Sequence, residues 1–228
     1  MEPFSICRLG LVDYAEALTI QKKLVAARQA GQIGDLCLLL EHPPVLTMGT
    51  RGHNEHVYLT PEELAARGIS VHWIDRGGDV TYHGPGQLVC YPIFRLSEYE
   101  GGIRQFVSQL QQAIIQMLTD AYGITAEARS GKLTGVWSGD CKIAAIGLAV
   151  KQGISMHGFA FNINTDLEPF SWINPCGLSM GVTSVALELG CQVDVSEAYN
   201  RMAVCLAASF GRPMTETTLE QLIGGLND

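Results

Sequence analysis

A chain of 228 residues, 47% hydrophobic and 17% charged, carries enough apolar material for a sizeable core, which excludes intrinsic disorder. Its formal net charge of −8 argues against general nucleic-acid binding, and it has no apolar run of the roughly 18 residues a membrane span requires. The seven cysteines, at positions 7, 37, 90, 141, 176, 191 and 205, include no Cys-x-x-Cys pair, and several sit in apolar runs. Reduced thiols in a reducing compartment are therefore expected, with neither a disulfide framework nor a zinc site. The first five residues lack a basic stretch followed by an apolar one, so no signal peptide is expected. One domain over residues 1–228 is the expected organisation.

Residues 4–9 read as a short strand. Asp13 and Glu16 have the spacing of a capping box and open a helix carrying Tyr14, Leu18, Leu24 and Val25, with Gly31 as its stop. Leu36–Leu40 is a buried strand, broken by Glu41-His42-Pro43-Pro44, and Val45–Met48 begins another. His53 and His56 lie three apart in a polar loop without a third ligand nearby, so they read as solvated loop histidines. Thr60-Pro61-Glu62-Glu63 is a helix start with proline at its first position, closed at Gly68, and Val71–Asp75 is a strand.

The next stretch, from Arg76 to Ile93, packs four glycines into eleven residues beside Arg76, Tyr82 and His83. Glycines alone read as a hairpin with tight turns. With the arginine, tyrosine and histidine among them they read as a binding loop, because glycine admits a ligand close to the backbone and frees N–H groups to face an anion or a carbonyl oxygen. It is not a phosphate-loop or dinucleotide fingerprint. Ile103, Phe106, Val107, Leu110, Ile114, Met117, Leu118 and Ala121 then recur at steps of three and four, predicting an amphipathic helix that ends at Gly123 with its apolar stripe in the core. Thr125–Arg129 and Gly135–Trp137 are strands or strand ends, and Ser196–Phe210 and Thr218–Ile223 are terminal helices.

Between these lies the stretch from Lys142 to Cys176. Lys142 opens an apolar run that reads as a buried strand, and Met156–Asn164 is a second one, ending in asparagines. Cys176 follows between Pro175 and Gly177, a setting neither helical nor extended that presents a thiol on a tight loop. On the residues alone the cysteine is as readily an inert thiol as a nucleophile, and the lysine reads as a surface residue at a strand end. Many strands with short connections beside long helices predict an α+β fold, a mixed β-sheet with flanking helices.

Arg76–Gln87, Lys142–Gly147, His157–Asn162 and Asn174–Gly177, with Glu41–Val45 and Gly135–Trp137, together resemble the lipoyl(octanoyl) transferases from about residue 8 to residue 210. The resemblance implies a fold similar to the biotin/lipoate ligase catalytic domain. It implies transfer of octanoyl or lipoyl from octanoyl-acyl carrier protein to a lysine of a lipoyl domain. The acceptors would be the E2 subunits of 2-oxoacid dehydrogenases and the glycine cleavage H protein. It places the acyl-thioester cysteine on Cys176 and the pKa-lowering lysine on Lys142. Substrate contacts fall on Arg76, Gly77, Gly78, Asp79, Val80, Thr81, Tyr82 and His83, on Ala145, Ile146 and Gly147, and on Gly158, Phe159 and Ala160. It implies no metal or cofactor, no nucleic acid and no membrane, and a cytoplasmic setting, or a mitochondrial one in a eukaryote. Residues 151–155 are less aromatic than the family pattern, which bears on the pocket rim and not on the chemistry. The carrier protein so implied is acidic, as is this chain, so a focused basic patch at the mouth of the site is expected, drawn from Arg51, Arg76, Arg129, Lys132 and Lys151. Three rival readings are an ATP-dependent ligase of related fold, an acyl-binding module without catalysis, and a Cys/His hydrolase using His157 or His83.

Overall fold

The computed structural model describes residues 2–99, 101–174 and 181–224. Strand β1 (Phe4–Leu11) leads to Asp13, whose carboxylate accepts from the Ala15 and Glu16 amides and caps helix α1 (Tyr14–Gln29). Strands β2 (Leu36–Glu41) and β3 (Val45–Met48) follow. Helix α2 (Pro61–Ala66) begins with a complete capping box between Thr60 and Glu63. Next come β4 (Ser70–Trp73), β5 (Val80–His83), β6 (Gln87–Ile93), α3 (Gly102–Tyr122), β7 (Glu127–Arg129), β8 (Gly135–Ser138), β9 (Cys141–Lys151) and β10 (Ile154–Asn162). The C-terminal part holds β11 (Gly181–Val182), α4 (Val185–Leu189), α5 (Val195–Phe210), β12 (Met214–Thr217) and α6 (Leu219–Gly224).

Among the described residues the strands form two sheets. The large one runs β12-β1-β2-β6-β10-β9-β8-β7, with β11 beside the start of β9. Parallel pairs (β12 with β1, β1 with β2, β11 with β9) sit among antiparallel ones, the mixed sheet that the sequence predicts. The small sheet is β4-β3-β5. Strands β5 and β6 therefore belong to different sheets, and the glycine-rich stretch is no hairpin but a crossing between two layers.

Both faces of the large sheet are covered, which is why β2 reads as an unbroken apolar run. Cys37 and Leu39 face one core, with Phe106, Leu110 and Met117 of α3 and Leu206 and Phe210 of α5. Leu36, Leu38 and Leu40 face the other, with Ala17, Leu24 and Val25 of α1. The period of two assigns alternate residues to opposite layers. Phe106 and Phe210 stack at 5.5 Å and 12° where α3 meets α5. Each such fully buried side chain contributes on the order of 1.5–3 kcal/mol.

Candidate active site

A cavity of about 680 Å³ lies between the two sheets, within the range of small-ligand sites. The Arg76–Thr81 loop and His83 border it from the small sheet, Lys142 and residues 145–148 from β9, and residues 157–160 and Asn162 from β10. Phe170, Ile173 and Asn174 border it ahead of residues 175–180, and Gly181 and Val182 beyond them. The sequence-predicted contacts thus converge here, Tyr82 excepted. Its ring is buried against Phe170 at 5.6 Å in a third apolar cluster with Leu46 and Val80. Cys176 lies outside the described residues.

The loop rests on β9 by backbone contact. The Gly77 amide donates to the Leu148 carbonyl at 2.9 Å. A Cβ on Gly147 would come within 2.7 Å of the Gly77 carbonyl oxygen, so only glycine lets the loop approach this closely. Arg76 is buried. Its Nε and Nη2 donate to the Thr47 hydroxyl at 3.2 and 2.9 Å, and Nη2 donates to the Thr47 carbonyl at 2.6 Å. Burial lowers its pKa to about 10, which leaves it charged at neutral pH. Asp79 accepts from the Val80 amide at 2.6 Å and stands 2.7 Å from Nδ1 of His56, so His56 is a half-buried partner of the loop and not a solvated residue.

Lys142 is flanked by two strands, paired with Trp137 of β8 on one edge and Val182 of β11 on the other. Its Nζ lies 5.0 Å from the Trp137 ring centroid, within cation–π range. Gly135 adopts φ +153°, and a Cβ there would clash with the Ala144 carbonyl oxygen at 2.5 Å, so glycine is required at this backbone approach, beside which the Lys142 stem runs.

His83, Tyr91 and His157 add polar groups to the lining, with His42 and Asp75 hydrogen-bonded behind them. His42 Nδ1–H donates to the Val12 carbonyl at 2.7 Å, and burial depresses its pKa to about 4. The ring is neutral, so Nε2 accepts from the Tyr91 hydroxyl at 2.7 Å. Burial, reinforced by neighbouring His42, depresses the pKa of His83 to about 3. His157 is buried with φ +59°, a left-handed conformation costing a non-glycine residue about 1–3 kcal/mol. Its amide donates to Gln21 Oε1 and its Nε2–H to Asp75 Oδ1, each at 2.9 Å. Burial alone would raise the Asp75 carboxyl, but hydrogen bonds from Lys151 and His157 outweigh it and bring the pKa to about 2.

The structure adds residues that pattern reading assigned elsewhere. Ile103 and Val107 belong to the α3 stripe expected in the core, yet both border the cavity, and Ile103 is 43% exposed. Tyr14 and Leu148 border it as well. Of the expected basic patch, Arg51 and Lys132 reach the cavity lining, whereas Arg76 is buried, Arg129 pairs with Glu127 at 2.6 Å, and Lys151 pairs with Asp75.

Residues 13–207 match the family model of the lipoyl protein ligase A/B catalytic domain. The chain belongs to that family. Among curated relatives, the octanoyltransferase of Caldicellulosiruptor bescii is 46% identical over 219 residues, covering 96% of each chain. The octanoyltransferase of Chloroflexus aggregans is 47% identical over 214 residues, 92% of this chain and 96% of its own. In fold, the chain is similar to the lipoate protein ligase Ta0514 of T. acidophilum with bound lipoic acid, at TM-score 0.74 and 16% identity over 99% of this chain and 95% of that one. A biotin protein ligase of Aquifex aeolicus follows at TM-score 0.53 and 11% identity, over 91% and 69%.

Proposed function

We propose that the protein, an octanoyltransferase of protein lipoylation, works through a thioester on Cys176, with octanoyl-acyl carrier protein as donor and lipoyl domains as acceptors. The observation that carries the covalent reading is the convergence of Lys142 on the lining of a cavity whose other described borders include Asn174 and Gly181, the residues flanking positions 175–180. The Lys142 ammonium favours the Cys176 thiolate. The thiolate attacks the donor carbonyl, the carbon–sulfur bond to the carrier breaks, and the departing carrier thiolate takes the proton of Lys142. The neutral amine of the acceptor lysine then attacks the acyl-enzyme, gives its proton to Lys142, and expels the Cys176 thiolate, restoring the ion pair. One thioester becomes another and then an amide, so the sequence runs downhill without ATP. The donor for the oxyanion is the backbone amide of Gly78, since that of Gly77 is engaged by the Leu148 carbonyl.

The test is intact mass after incubation with octanoyl-carrier protein without ATP. Wild type should gain one octanoyl group, mapped to Cys176 and released by hydroxylamine, and an apo lipoyl domain should discharge it. Transfer by Cys176→Ala at a rate near wild type would overturn the covalent mechanism in favour of direct attack by the acceptor amine. A requirement for ATP and free octanoate would instead make the protein a ligase.

A further inference from the structure

Along the cavity wall runs a hydrogen-bond chain whose direction is fixed at every step. The Thr47 hydroxyl oxygen accepts from Arg76, so its proton points onward to His83 Nε2, at 3.4 Å. Gln87 Nε2 donates both its protons, to the Tyr82 carbonyl at 3.2 Å and to Asn162 Oδ1 at 3.0 Å. Its Oε1 is thus the acceptor for His83 Nδ1–H at 2.8 Å. Asn162 Nδ2 in turn donates to the Thr183 carbonyl at 3.0 Å. The order is Arg76, Thr47, His83, Gln87, Asn162, Thr183, and flipping either amide or the His83 tautomer would set two acceptors face to face.

The chain ends where Lys142 is held. The Thr183 amide donates to the Lys142 carbonyl at 3.1 Å, and the preceding residue, Val182, pairs with Lys142 in the sheet. Thr183 is 2% exposed and is thus clamped from both sides of its own residue, by Asn162 at the carbonyl and by Lys142 at the amide. Apolar side chains would hold these strands together as well. A directed chain adds a single permitted orientation.

We propose that Gln87 and Asn162 are positioning residues for acyl transfer: they carry this chain to Thr183 and thereby fix the backbone from which Lys142 reaches the reacting groups. The proposal rests on Lys142 acting as the proton carrier. A misplacement of the order of 1 Å at such a group costs up to about 100-fold in rate.

The test uses the uncharged, near-isosteric variants Asn162→Leu and Gln87→Met with a small octanoyl thioester as donor. Both should lose about tenfold or more in kcat with KM within about twofold, and the pH midpoint of Cys176 alkylation should rise toward that of Lys142→Met. Wild-type kcat and an unchanged midpoint would overturn the proposal. So would a fall in melting temperature with the midpoint unmoved, which leaves the chain structural, or a rise in KM alone, which makes the two residues substrate contacts. Should Asn162→Leu not fold, Gln87→Met and Thr47→Val cut the same chain at earlier bonds and decide by the same readouts. Transfer by Cys176→Ala would overturn the covalent reading separately and leaves the kcat comparison to judge the positioning role.

Discussion

Lys142 has its stem passing a glycine and its ammonium against Trp137, while its carbonyl accepts from Thr183. A side chain so placed acts by charge more than by packing, and Lys142→Met keeps most of the stem. We expect the variant to lose transfer by two orders of magnitude or more, consistent with the weight of general acid–base groups, while its melting temperature stays close to wild type. Alkylation of Cys176 by iodoacetamide against pH checks the cause. Burial pushes Cys7 up to about 11 and raises Cys37 and the half-buried Cys205 as well, so the background to separate by mapping comes from the exposed Cys191 and half-buried Cys141. An unmoved midpoint in the variant would remove Lys142 as thiolate stabiliser. Two of the three buried histidines, His42 and His83, make a separate prediction for stability, and burial lowers the pKa of the third, His157, in the same direction. Folded pKa values of about 3 for His83 and about 4 for His42 lie below the unfolded value near 6.5, so the unfolded chain binds more protons between these limits. Their contribution is fully present above pH 6.5 and is lost as pH falls toward 4, at up to about 1.4 kcal/mol per pH unit for each ring. Asp75, at about 2, adds its own loss only below pH 4. Urea midpoints at pH 7, 5.5 and 4.5 should fall steeply for wild type and less steeply for His83→Asn; equal slopes would refute the assignment.

At the scale of elements, β9 and β10 shape the cavity because their facing residues are small: Gly147 pairs with Gly158 and Ala145 with Ala160. This part of the wall is backbone, and enlarging it should shorten the chain the cavity holds. Each methylene is worth roughly 0.8 kcal/mol, so Ala145→Leu should shift the octanoyl-to-hexanoyl preference by about tenfold toward the shorter donor. Identical kcat/KM ratios in wild type and variant would show that the chain runs elsewhere. The glycine-rich stretch, the Lys142 strand and its partner could be read from sequence because motif residues sit close together along the chain. The α3 contribution could not: Ile103 and Val107 share one helical stripe with Phe106 and Leu110, and period alone does not reveal that the first turn overhangs a cavity while later turns pack on α5. Tyr82, drawn in by the same motif run, packs in the cluster of Leu46, Val80 and Phe170, and the run alone does not tell which of its side chains border the cavity. The short strands β11 and β12 gave no pattern at all; each is an edge element whose pairing depends on a distant partner.

At the scale of the molecule, two distributed charge patterns follow from the fold. The chain carries −8 overall, yet Arg51 and Lys132 border the cavity. Reversing both to glutamate should raise KM for octanoyl-carrier protein more than for a small octanoyl thioester, with the difference fading in salt. Equal responses would refute docking at this rim. The second pattern lies under the far end of the sheet and concerns stability. Asp35 is almost wholly buried, and one oxygen accepts from Arg28 Nε at 2.8 Å and the Arg95 amide at 3.0 Å, while the other accepts from Arg212 Nη1 at 2.6 Å. Arg212 also donates to the Glu2 carbonyl at 2.8 Å and the Tyr99 hydroxyl at 2.7 Å. One carboxylate thus joins the end of α1, the exit of β6 and the turn between α5 and β12, three places far apart in sequence. Removing it takes the Asp35 carboxylate from two largely buried guanidinium groups, and breaking a buried pair costs on the order of 3–5 kcal/mol. Asp35→Asn keeps the shape and one acceptor oxygen but not the charge. Its melting temperature should therefore fall well below wild type while kcat/KM at permissive temperature stays near it, because the cluster does not border the cavity. A melting temperature within a degree or two of wild type would mean that the two arginines find other partners or water, and that the cluster contributes little to holding the N- and C-terminal strands together.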